Sequence, residues 1–208
     1  MKYYELLLVV ATLTVGTGVV HRDSMAMTAG EEHHHHHHVM AMAGAGYKRT
    51  VVEYKVPDIK LQDMNGQPVA LREMLDGSNP VMMNFIFTTC TTICPVTSAT
   101  FAMVQEKLGS AHEKPRLVSI SIDPEQDTPE RLKAYAQKFG AGPHWSMLTG
   151  SAANSIAVQR AFDVYRGDKM NHQPVTFIRK GAGQPWVRIE GFATADDLLR
   201  EYQKITAN

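Results

Sequence analysis

The chain of 208 residues holds two cysteines, Cys90 and Cys94, four positions apart in FIFTTCTTICPVTSATF. Two cysteines cannot make a disulfide scaffold, so the pair reads as a site. Ahead of it PVMMNFIF is an almost unbroken apolar run, the pattern of a strand covered on both faces, with Met82, Met83 and Phe85 as core. Behind it CPVTSATFAMVQEKLG places Phe101, Val104 and Leu108 at helical spacing. Both thiols therefore fall at a helix N-terminus, where unpaired N–H groups and the helix dipole favour thiolate and lower a thiol pKa from about 8.5 toward neutrality. Pro95 costs nothing in a first helical turn. On a regular helix, residues four apart have Cβ atoms about 5 to 6 Å apart, wider than the roughly 3.5 to 4.5 Å of a disulfide. A metal about 2.3 Å from each sulfur sets the sulfurs nearly 4 Å apart, which the pair reaches with little distortion. The spacing leans toward a metal and leaves a disulfide open, because Cys90 is expected in the loop and free to swing.

Two thiolates leave room for a third ligand, and the candidate is His172 in KMNHQPVTFIRK, just before an expected strand. A Cys2His set is soft and favours copper or zinc over magnesium or calcium. His112, in a polar loop, and His144, beside Trp145, are read as structural or solvated. Asp123 and Asp127, after the strand RLVSISID, could orient a ligand or face a docking partner. For Asp127 a helix-capping hydrogen bond is the favoured expectation.

Around this core of chemistry the chain has ordinary composition, 44% hydrophobic and 20% charged. Its length suits one domain with an appendage. Lys plus Arg equals Asp plus Glu at 21 each, which gives no bulk field for nucleic acid. Residues 1–22 contain the uncharged run LLLVVATLTVGTGVV from Leu6 to Val20, short for a spanning helix, and read as an export signal or N-terminal membrane anchor. The expected location is outside the cytoplasm, periplasmic or on the outer face of the inner membrane. Residues 23–46 form a tract expected to be disordered, in which His33, His34, His35, His36, His37 and His38 stand between Met25, Met27 and Met40, Met42. Imidazole and thioether suit copper, Met for Cu(I) and His for either oxidation state, so the tract is an auxiliary metal tract or a purification tag. With an exported location it tips the choice of metal to copper.

The domain over residues 47–208 reads as VVEYKV in an opening strand, a hairpin-like lead turning at Asn65-Gly66, the strand and helix around the cysteines, and the strand RLVSISID. Next comes TPERLKAYAQKFG as a helix with Thr128 as N-cap, Pro129 in its first turn and Gly140 at its end. A further helix SAANSIAVQRAFDVY, a hairpin turning at Gly181-Ala182-Gly183 and a last helix capped by Thr194 complete it. Alternating βαβ followed by ββα predicts an α/β, thioredoxin-like sandwich with a central mixed sheet and flanking helices.

Three segments in this order, FTTCTTICP, SISIDPEQDTPE and NHQPVTFI, resemble the Sco/SenC family of copper proteins that assist assembly of cytochrome c oxidase, over about residues 55 to 205. The matching positions are Cys90, Cys94 and Pro95, then Asp123, Pro124, Asp127, Thr128 and Pro129, then His172, which Gln173 and Pro174 follow where the family has a small polar pair. The resemblance implies a thioredoxin fold in which Cys90, Cys94 and His172 bind one copper, Cu(I) or Cu(II). It implies delivery to the dinuclear copper centre of oxidase subunit II or a similar acceptor, and room for an upstream copper donor or thiol reductant. The alternative is a thiol-disulfide oxidoreductase acting on the oxidase subunit or another exported protein, with Cys90 as nucleophile, Cys94 resolving and His172 assisting proton transfer. A thiol peroxidase is disfavoured, because no arginine set accompanies Cys90.

Overall fold

The computed structural model describes residues 46–109 and 114–207. The export run, the His/Met tract and His112 lie outside the described residues. Within these, one mixed sheet of eight strands carries helices on both faces, the thioredoxin-like sandwich expected from the alternation of elements.

In chain order the strands are β1 (Gly46–Val52), β2 (Lys60–Asp63), β3 (Pro68–Ala70), β4 (Val81–Ile86), β5 (Arg116–Ser121), β6 (Trp145–Thr149), β7 (Val175–Arg179) and β8 (Trp186–Phe192). The helices are α1 (Leu71–Leu75), α2 (Ile93–Leu108), α3 (Pro129–Lys138), α4 (Ala152–Ala161) and α5 (Ala195–Thr206), with a 3-10 turn at Lys169–Asn171. Across the sheet the order is β1-β8-β7-β4-β5-β6-β2-β3. Strand β4 sits at the middle, parallel to β5 from Val81↔Arg116 to Ile86↔Ser121 and antiparallel to β7 from Val81↔Arg179 to Asn84↔Thr176. All six of its residues are buried, as its apolar run demands.

Period-two alternation splits the core into two layers. Met82 and Ile86 pack with Phe101 and Val104 of α2, Leu132 of α3 and Leu198 of α5. Val81, Met83 and Phe85 face the other way, against Leu71 and Leu75 of α1, Val158 of α4 and Phe162. Local signals place the helix ends. Thr128 accepts from Arg131 N at the start of α3, and Gly140 takes φ of +63° just past its end. Thr194 and Asp197 form a capping box on α5. The hairpin turn at Asn65-Gly66 and the β7–β8 hairpin stand where expected.

Two readings change and one strand is added. The opening strand is β1, Gly46–Val52, rather than VVEYKV, because its partner β8 begins at Trp186 after Pro185, which has no N–H to extend the ladder. Strand β6, WSMLT, had no clear signal: its apolar residues do not alternate cleanly, yet it pairs in parallel with β5 from Leu117↔Trp145. Asp127 does not cap α3, since Thr128 does, and the carboxylate is used elsewhere.

Candidate metal centre

The register of the central strands brings three segments to one end of the sheet. β4 and β5 run parallel, so the loop after Ile86 and the loop after Ser121 leave side by side, while β7, antiparallel to β4, begins there. The first loop carries Cys90, the second Asp123 and Asp127, and the segment before β7 carries His172. Ligand chemistry at the carboxyl ends of parallel strands is the general expectation for open α/β sheets.

Helix α2 starts at Ile93, so Cys94 is its second residue and Cys90 precedes it in the loop, which places both thiols at the helix N-terminus. Thr92, the N-cap residue, makes no side-chain capping bond. The cysteine sulfur does the capping instead, as Cys94 N donates to Cys90 Sγ at 3.3 Å. Burial opposes ionisation of Cys90, but the N–H groups of Cys94 and Thr92 outweigh it and hold the thiol below its ordinary pKa. Cys94 is fully buried and both thiols are free. Its Sγ accepts from Phe87 N at 3.4 Å, yet burial pushes its pKa far above the thiol range, and the neighbouring Cys90 and Asp127 push the same way. The two thiols are thus unequal: Cys90 is the readier to ionise and Cys94 stays protonated.

His172 is 6% exposed and closes the 3-10 turn. Its Nε2 lies 3.0 Å from Phe85 O, and since a carbonyl only accepts, Nε2 carries the proton. The lone pair of the neutral ring is then on Nδ1. Burial also lowers the pKa of the ring, which keeps it neutral at pH 7. A ring N–H given to a backbone carbonyl is how ligating histidines are commonly oriented. The Phe87 ring stands edge-on to the imidazole, centroids 6.3 Å apart.

The two carboxylates serve these two groups separately. Asp127 is fully buried and accepts from Thr88 Oγ1 at 2.5 Å, Thr88 N at 3.1 Å and Ser121 Oγ at 2.6 Å. Asp123, 8% exposed, pairs with Lys169 Nζ at 2.5 Å, and the same ammonium lies 5.8 Å from the centre of the Phe87 ring. Sequence reasoning missed Thr88, Ser121 and Lys169; the run of threonines around Cys90 was the only signal for the first. His144 lies at the opposite end, before β6, beside Gln105 and Lys114.

The donors share one end of the sheet but do not form a finished cage. Among the described residues no three His, Cys, Asp or Glu side chains are gathered as a metal cluster. His172 also lines a cavity of about 150 Å³ with Asp123, Ser155, Gln159 and Lys169, to which the cysteine loop contributes no residue. Among the described residues no helix is long and apolar enough to cross a membrane.

Comparison with known proteins gives a consistent result. The family model SCO1/SenC matches residues 48–207. A SCO1 protein homolog of Bacillus subtilis is 36% identical over 106 residues, 50% of this chain and 54% of that protein. A putative copper-binding protein of Stutzerimonas stutzeri is 36% identical over 109 residues, 52% of this chain and 50% of the other. The chain thus spans about half the length of these curated relatives. Among solved structures, a SCO1/SenC family lipoprotein from Bacillus anthracis matches with TM-score 0.66 at 23% identity, over 76% of this chain and 98% of that one. BsSco, described with a disulfide switch and as a member of the Sco family of cytochrome c oxidase assembly proteins, matches with TM-score 0.63 at 26% identity, over 74% and 94%. The copper-bound ScoI of Bradyrhizobium japonicum matches with TM-score 0.59 at 24% identity, over 72% and 98%. With the family model covering the whole sandwich and both thiols and His172 at one end of its sheet, the chain belongs to the SCO1/SenC family.

Proposed function

We propose that this protein binds one copper ion as cargo through Cys90, Cys94 and His172 and passes it to the dinuclear copper centre of cytochrome c oxidase during assembly. The observation that carries this reading is the state of the three donors. Cys90 Sγ accepts the Cys94 N–H at 3.3 Å, and His172 is neutral with Nε2–H committed to Phe85 O. Two sulfurs and one imidazole lone pair suit Cu(I), which accepts three soft ligands, better than any hard cation. Binding releases the Cys94 proton, so affinity rises with pH.

The loop after β4 that carries Cys90 and the segment before β7 that carries His172 lie at the same end of the sheet, which offers the donors to one ion. The copper-binding description of one relative and the copper-bound ScoI support the choice of metal. An exported, membrane-proximal setting fits the apolar run at the N-terminus and the lipoprotein relative.

A second reading has its own observation. The unequal thiols, Cys90 half-buried with a lowered pKa and Cys94 buried with a raised one, are the arrangement of an attacking and a resolving cysteine. As a thiol-disulfide oxidoreductase the protein would reduce a partner's disulfide while its own dithiol becomes a disulfide. The two readings separate on His172→Ala, which abolishes tight copper binding under the first and leaves dithiol exchange largely intact under the second, slowed only by the loss of an assisting proton acceptor, with copper affinity and the rate of reduction of a peptide disulfide as readouts.

A further inference from the structure

The segment between β5 and α3 touches both halves of the site without supplying a metal ligand. Toward the cysteines, Asp127 takes the Thr88 hydroxyl at 2.5 Å and the Thr88 N–H at 3.1 Å, two residues before Cys90. Toward the histidine, Asp123 holds Lys169 at 2.5 Å, and His172 N donates back to Lys169 O at 3.1 Å. The two contacts are joined inside the segment. Ser121 Oγ donates to Asp127 at 2.6 Å and accepts from Asp123 N at 3.0 Å, while Asp127 N donates to Asp123 O at 2.9 Å.

We infer that Ser121–Asp127 is a two-armed brace, in which Asp127 through Thr88 positions the Cys90 loop and Asp123 through Lys169 positions the His172 turn, each arm acting on its own group. Two features carry it. Thr88 and Asp127 are 39 residues apart in sequence, so the contact is tertiary and serves no helix end. The carboxylate is wholly buried with donors on both oxygens, so its geometry is fixed by what it holds. The brace is formed around the free thiols, so losing an arm on the cysteine side raises the dithiol relative to the disulfide and favours oxidation. The inference rests on Cys90 and Cys94 working as a pair.

The test uses the full chain in glutathione buffers, where the protein dithiol plus oxidised glutathione gives the protein disulfide plus two reduced glutathione. Thr88→Val removes one hydroxyl donor and leaves Asp127 its other partners, so it folds. It is expected to shift the glutathione ratio at the midpoint by about fivefold toward the disulfide, equivalent to about 20 mV. Thr88→Ser restores the hydroxyl and stays within about twofold of wild type. Asp127→Asn shifts the ratio the same way as Thr88→Val, and the two changes combined add little beyond Asp127→Asn alone, since they break one contact. Lys169→Met keeps its packing on Phe87 through a thioether. It moves the ring resonances of His172 in NMR spectra, assigned by their loss in His172→Ala, and leaves the glutathione ratio within about twofold of wild type. Equal shifts in Thr88→Val and Thr88→Ser, no shift in Thr88→Val, or a fivefold shift in Lys169→Met would overturn the brace. A wild-type protein with no reversible couple would instead remove the paired-thiol reading on which it rests.

Discussion

The loop that carries Cys90 and the turn that carries His172 meet at one end of the sheet but are held by unlike interactions. The cysteine loop is tied to a fully buried carboxylate by short neutral-donor hydrogen bonds from Thr88, and Cys94 behind it belongs to the hydrophobic core. The histidine turn is tied by an ion pair whose lysine side chain is 37% exposed, and by the single bond from Nε2 to Phe85 O. The buried bonds, Ser121 Oγ to Asp127 on one side and His172 Nε2 to Phe85 O on the other, are costly to break and indifferent to salt, whereas the half-exposed ion pair of the histidine turn is neither. The difference lies in the second tie of each side, salt-indifferent hydrogen bonds for the Cys90 loop and a salt-sensitive ion pair for the turn that carries His172.

The largest way to break this comparison is to remove each carboxylate. Asp127→Ala strands the Ser121 hydroxyl in the core and the Thr88 donors at its margin, and is expected to lower stability by about 3 kcal/mol in urea unfolding. Asp123→Ala leaves the midpoint close to wild type, because solvent and salt already screen its partner. Equal losses in the two variants would remove the distinction between the two ties.

A smaller effect separates the two thiols. Alkylation follows the thiolate, whose fraction rises as pH passes the pKa. A lowered pKa therefore keeps Cys90 reactive toward iodoacetamide at pH values below the range of a free cysteine, about 8.5. Cys94, buried and with its pKa raised, stays unmodified in the folded protein throughout. Mass spectrometry of peptides after timed alkylation at pH 6 to 9 reads both. The smallest expected effect comes from salt: raising NaCl from about 0.05 M to about 1 M shortens the screening length from above 10 Å to about 3 Å. The His172 ring resonances should then drift while the rate of Cys90 alkylation at fixed pH does not change.

Features written in neighbouring residues could be read from the sequence. The caps at Thr128 and Thr194, the turn at Asn65-Gly66, the buried run of β4 and the helix that follows the cysteines each depend on a few adjacent side chains. What depended on distant pairing could not be read in this way. The length of β1 is set by where β8 begins, and β6 is a strand because β5 offers it a parallel edge. Asp127 shows the limit best. One residue from a helix start, an aspartate reads as a cap, and nothing local reveals that Thr128 takes that place while the carboxylate reaches Thr88. His172 was found through its neighbours NHQPVTFI, but its attachment to Phe85 O required the β4–β7 register.

The central claim, copper held by both thiols and the imidazole, is tested most directly by copper stoichiometry under competition with a Cu(I) chelator. The comparison is between wild type and His172→Ala, each in reduced full-length protein whose His33 to His38 run is replaced by serine. The account expects one tightly held copper in the first and affinity lower by about 100-fold or more in the second, with the Cys90–Cys94 couple unchanged. No copper beyond the chelator background in either protein, alongside a reversible disulfide, would contradict it and leave the thiol-disulfide oxidoreductase.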